Sequence, residues 1–169
     1  MERIKKILAA ADFSACSQEA IAYAVSLARQ LNATILLIHV LEPVEYPIAL
    51  TVMEWSESDL LKVRGELDRV AGPWRKMGVS IEIDLLRGYP AERIVAEAEK
   101  RKCDLIVMGT HGRSGAAHFF MGSVAERVVR SASVPVVTVR RRRAKESVPV
   151  PNEEEKGAAV SPEGWGVIL

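Results

Sequence analysis

The chain reads as a doubly wound α/β domain, a parallel sheet of five strands with helices on both faces. Three observations predict this. Short apolar runs rich in β-branched residues alternate with longer stretches whose apolar residues recur at helical spacing. One such run, TILLIHV at residues 34–40, is apolar almost throughout, as a strand buried on both faces of a parallel sheet must be. Strands separated by helices need crossover connections, which are right-handed and distribute the helices over both faces.

Residues 4–10 form the first strand and residues 17–31 the first helix, with Ala20, Tyr23, Ala24, Leu27, Ala28 and Leu31 along one face. Residues 34–40 are the second strand. A proline-containing connection over residues 41–55 leads to a long helix over residues 56–77. That helix is expected to bend or break at Gly72-Pro73, because proline has no N–H to donate, and Gly78 ends it. Residues 80–86 are the third strand. Pro90 suits the first turn of a helix reaching about Lys100. Residues 105–108 are the fourth strand and residues 123–131 the fourth helix, where Ser123 and Glu126 have capping-box spacing. Residues 134–139 are the fifth strand, and Pro135 marks it as an edge strand. The globular pattern stops near Arg140. Residues 141–169 bring arginines, a Val-Pro alternation, the run Glu153-Glu154-Glu155 and the apolar end WGVIL. The expectation is a domain at residues 1–140 and an extension at 141–169, either flexible or docked on the domain or on a second copy.

Composition narrows the function. A chain of 169 residues buries a real core without disulfides or metals. Cys16 and Cys103 are far apart and form no CxxC pattern, which fits a reducing setting. Asp12 interrupts the apolar N-terminal stretch too early for an export signal or a membrane span, so the protein is expected to be soluble and cytoplasmic. With 23 basic and 22 acidic side chains and a net charge of +1, the molecule as a whole exerts no strong pull on nucleic acid or an acidic membrane. Aromatic residues make up only 5%, and no basic-aromatic alternation offers a base-stacking platform.

Chemistry concentrates between the fourth strand and the fourth helix, where Gly109, Gly112 and Gly122-Ser123 follow an apolar run. Glycines let backbone N–H groups approach an anion, and a helix start adds unpaired donors and the positive dipole end. The same glycines also serve as simple turns. The segment is no Walker loop: nine residues separate Gly112 from Gly122, and Val124 follows Ser123, so the lysine of that motif is missing. Nor is it a dinucleotide fingerprint, which opens on G-x-G. In doubly wound sheets ligands bind beyond the carboxyl ends of the strands, where the winding reverses. Asp12-Phe13-Ser14 and residues 109–122 both lie at that edge.

With these residues in view, the sequence resembles the universal stress proteins. The resemblance rests on Gly109, Gly112, Gly122 and Ser123 in the pattern G-x2-G-x9-G-S, on Asp12 and Ser14 after the first strand, on Gly88 and Pro90, and on the terminal strand VPVVTV. It covers about residues 1–140. It implies sheet order 3-2-1-4-5 and ATP, with or without magnesium, at the junction of strands one and four. On these positions, Asp12 and the backbone of Val40 would hold the adenine or ribose edge. Met108 and Gly109 would lie against ribose and phosphates. Gly112, Gly122, Ser123 and Val124 would cradle the phosphates. The resemblance also implies an antiparallel homodimer through the fifth strand, whose Val134, Val136, Val137 and Val139 otherwise form an open β-edge.

Plainer readings stand beside these. From the residues alone Asp12 is a cap of the first helix, and Ser123 caps the fourth whether or not a ligand binds. Arg113 is either a phosphate partner or a solvated loop side chain. Cys16 is either an activated thiol at a helix start or a small buried residue. Phe119, Phe120 and Met121 either cover the site or pack beneath the loop. Arg140 to Arg143 are either a nucleic-acid patch or, the reading preferred, a solvated strand end that pairs with Glu153 to Glu155 or a neighbouring subunit. His39, His111 and His118 match no ligand spacing, so no metal site built by the protein is expected, whereas magnesium would arrive with phosphates. With no lysine or base in place for phosphoryl transfer, the expected function is nucleotide-dependent signalling or protection with slow or no hydrolysis. The alternatives are an interaction module working through residues 141–169 and a slow ATPase switch.

Overall fold

Along the chain run β1 (Lys6–Ala10), α1 (Ala15–Leu31), β2 (Thr34–Leu41), α2 (Glu57–Lys76), β3 (Ile81–Arg87), α3 (Pro90–Lys100), β4 (Leu105–Gly109), α4 (Ser123–Ser131) and β5 (Val136–Val139). The computed structural model describes residues 3–43, 55–112 and 121–140. Arg113, His118, Phe119, Phe120 and the extension at 141–169 lie outside the described residues.

All pairings are parallel and the sheet order is β3-β2-β1-β4-β5. The chain winds outward from β1 in one direction through β2 and β3, then crosses back to β4 and β5. The reversal therefore lies at β1, between β2 and β4. Side chains alternate across the pleat. Ile7, Ala9, Ile35, Leu37 and Val107 pack with Ala20, Ala24, Leu67 and Ala71 of α1 and α2. Leu8, Leu36, Ile38, Ile106 and Met108 pack with Ile94, Ala98, Ala125 and Val128 of α3 and α4. Two apolar layers on a sheet buried on both sides account for the continuous apolar run of β2.

The helix ends follow local chemistry. Gly78, at φ +83°, follows α2 in a Schellman arrangement: its N–H donates to the Arg75 carbonyl (2.9 Å) and that of Val79 to the Trp74 carbonyl (3.1 Å). Pro90 opens α3 at its first position. The expected break does not occur, because α2 runs through Gly72-Pro73 as one continuous helix. Buried Leu67 and Ala71 and packed Val70 and Trp74 hold the helix to the sheet on both sides of the proline, which costs only its own missing bond. The fifth strand starts at Val136, two residues later than expected. Pro135 contributes only a carbonyl, which accepts from Ile106 N–H at 3.0 Å, and β5 pairs with β4 alone, as an edge.

Candidate functional site

Three strand ends converge where the winding reverses. After β1, the Ala11 N–H still donates to the Ile38 carbonyl (2.8 Å). The chain then turns sharply: Ser14 N–H donates to Asp12 Oδ1 (2.9 Å), the turn asparagine and aspartate favour, and Phe13 takes φ +65°. Ser14 is the N-cap of α1, its Oγ accepting from Ser17 N–H at 3.1 Å. Asp12 is therefore not the helix cap that the residues alone suggest. It forms the turn before it.

At the end of β2 His39 is buried. Its Nδ1 lies 2.6 Å from the Ala11 carbonyl oxygen, which only accepts, so Nδ1 carries the proton. The ring also meets Phe13, with centroids 4.7 Å apart. This histidine braces β1 against β2. Among the described residues no three His, Cys, Asp or Glu side chains gather as metal ligands.

Beyond β4 the glycines have distinct tasks. A Cβ on Gly109 would lie 3.0 Å from Cys16 Sγ and 3.2 Å from the backbone of Cys16 and Ser17, so this glycine lets α1 press onto β4. A Cβ on Gly112 would lie 2.8 Å from Asp12 Oδ2, which brings the glycine segment directly against the first loop. Gly122 N–H donates to the Thr110 carbonyl at 2.7 Å, and a Cβ there would sit 3.1 Å from that oxygen. The loop thus closes on its own stem. Thr110 N–H in turn donates to the Val139 carbonyl (2.9 Å), and Thr110 Oγ1 lies 2.9 Å from His111 Nδ1.

The capping box is not formed. Gly122 is the N-cap, in extended conformation at φ −63°, ψ 150°, and among the described residues no side chain caps the helix. Ser123 is the first helical residue, and Glu126 pairs with Arg130 at 2.8 Å instead. The Gly122 amide, already bonded to Thr110, is withdrawn from the anion cradle. The first-turn amides from Ser123 onward have no capping side chain among the described residues and lie at the positive end of the α4 dipole.

These elements enclose a cleft of about 370 Å³, within the size range of small-molecule sites. Asp12, Val40, Met108, Gly109, Gly112, Gly122, Ser123 and Val124 all line it. So do Trp55, Pro90, Ile94 and Thr110, which no motif singles out. The described lining contains no lysine or arginine. Cys16 is buried and donates to the Val139 carbonyl (3.2 Å), the plain packing role. Met121 is exposed at the loop's end.

The universal stress protein family model matches residues 3–140, nearly the whole described fold. The chain belongs to the universal stress protein family. A family member from Methanocaldococcus jannaschii is 39% identical over 140 residues, covering 81% of this chain and 82% of that protein. Among solved structures, a universal stress protein in complex with cAMP is 25% identical, with TM-score 0.62 over 82% of this chain and 98% of its own. The universal stress protein from Archaeoglobus fulgidus in complex with dAMP shares the fold at 23% identity and TM-score 0.62, covering 82% and 99%. The observed sheet order is the one that the resemblance implies.

Proposed function

We propose that this universal stress protein binds an adenine nucleotide, ATP in the first instance, in the cleft above β1. The observation that carries the reading is that Asp12 and the start of α4, which no side chain among the described residues caps, line one cleft of suitable size. A relative at 25% identity solved with cAMP supports it. The amides of Ser123 and Val124, with the Ser123 hydroxyl, would take the phosphates. Asp12 and the Val40 backbone would hold ribose and base, Met108 and Gly109 would line the middle, and Gly112 keeps the segment close to Asp12. Gly122 serves by closing the loop stem.

ATP supplies the phosphate charge and any magnesium, which needs few protein ligands. Hydrolysis is slow or absent on this reading, since backbone amides stabilise bound phosphates without supplying the lysine and positioned base of phosphoryl-transfer sites. The module acts as a nucleotide-dependent sensor in stress response or signalling. It occupies residues 1–140, where the family match ends, with 141–169 as an extension. A homodimer through β5 and a cytoplasmic location complete the proposal. Two free cysteines are compatible with that location, and no helix among the described residues is long and apolar enough to cross a membrane.

The test is calorimetric titration of ATP into the wild type and into a Gly122→Val, Ser123→Leu double variant, with thermal melting to establish that both fold. The variant is expected to lose at least about 10-fold in affinity, the scale set by losing one or two charge-assisted hydrogen bonds. Equal affinities in two folded proteins overturn the assignment of the site.

A further inference from the structure

The cleft has two chemically different sides. Toward β4 and α4 it offers amides and Ser123, whereas toward β2 and α3 it is walled by Val40, Leu41, Pro90 and Ile94. Trp55 stands on that second side, the one Phe, Tyr or Trp among the described lining residues. It immediately precedes Ser56, the N-cap of α2, whose Oγ accepts from Asp59 N–H at 3.2 Å. Its own indole N–H donates to the Glu42 carbonyl just past β2, at 3.3 Å. The residue thus stands directly before a capped helix start, with its ring edge held at the end of β2. With the N–H engaged, what Trp55 offers a ligand is its apolar face.

Resting on the nucleotide reading above, we propose that Trp55 is the base-recognition residue of this cleft: the ligand's flat heteroaromatic ring stacks on the indole face while its anionic end lies at the start of α4. An indole packs against any π-face without reading its hydrogen-bonding edge. Trp55 therefore contributes affinity for a base, and discriminates nucleotides from base-free polyphosphates rather than adenine from guanine. The anion end, which contains no part of this residue, is indifferent to it.

Three proteins test this: the wild type, Trp55→Phe, which keeps an aromatic face, and Trp55→Ala, which removes it. Each is titrated calorimetrically with ATP and with inorganic tripolyphosphate, and each is melted without ligand. Trp55→Ala is expected to weaken ATP about 10-fold, within the range found for losing one base-aromatic stack, with tripolyphosphate affinity unchanged and Trp55→Phe close to wild type. ATP is also expected to quench wild-type tryptophan emission but not that of Trp55→Phe. Trp74, which lines a groove beside α1 and α2, and Trp165 are present in both. Equal ATP affinity in all three proteins overturns the role of Trp55 and leaves nucleotide binding standing. Parallel loss of ATP and tripolyphosphate in Trp55→Ala also overturns it, by showing a general structural effect. No ATP binding by the wild type removes both proposals.

Discussion

At the scale of single residues, the glycine segment shows how one residue type performs three tasks. Gly109 makes room for α1, Gly112 for the Asp12 carboxylate, and Gly122 for the Thr110 carbonyl. Gly109→Ala places a methyl against backbone that cannot move without shifting α1. It is expected to cost about 1–3 kcal/mol, measured by urea denaturation, and an unchanged midpoint contradicts the packing role. A second residue-scale prediction concerns Cys103, whose thiol is pushed by burial from 9.0 to about 11. Below 9.0 the thiol is protonated in folded and unfolded chains alike. Above it only the unfolded chain ionises, so stability falls as pH rises from 9.0 to about 11. Urea midpoints at about pH 8 and about pH 10.5 are expected to differ by on the order of 1–2 kcal/mol more in the wild type than in Cys103→Ala. An equal difference in both proteins rules out Cys103 as the source.

At the scale of elements, α2 carries two glycines, Gly65 and Gly72, that have open space where a Cβ would stand and no left-handed backbone. Nothing local requires a glycine there. Gly65→Ala and Gly72→Ala are each expected to stabilise the fold by about 0.5–1 kcal/mol, read as higher melting temperatures; a decrease means that the space is filled by something else. The strands and helices were legible in the sequence because their apolar periods are long and their punctuation strong, as with Gly78 and Pro90. Pro73 misled because its signal is local, whereas the grip of Leu67, Ala71 and Trp74 on the sheet is tertiary. The roles of Ser123 and Asp12 misled for a related reason. Cap positions depend on where the backbone turns, and the Thr110–Gly122 bond and the Ser14 cap decide that. Asp12 and the glycines were legible as a motif, whereas Trp55, Pro90 and Ile94 join the cleft only once β2 and α3 are folded beside β1.

At the scale of the whole molecule, β5 has one side of its backbone ladder unpaired among the described residues, an arrangement that proteins commonly cover. Sedimentation velocity at micromolar concentration is expected to show a dimer. The carbonyls of Pro135 and Val139 accept from β4 and the residue after it, so the amide of Thr138 faces away from β4, and Thr138→Pro, which removes that outward amide, is expected to shift the dimer to monomer. A wild-type monomer at that concentration rejects pairing through β5. Nucleotide binding should stabilise the whole fold by mass action, about 2.7 kcal/mol when ligand is at 100 times its dissociation constant. Thr110 ties these two properties together, because its N–H holds the last carbonyl of β5 while its C=O holds the loop stem of the cleft. These two groups sit in successive peptide units joined at one Cα, and linkage makes any coupling between them reciprocal: whatever factor ATP adds to subunit pairing, pairing must return to ATP affinity. The stress signal and the assembly state would then be two readings of one equilibrium, with a single threonine as its fulcrum.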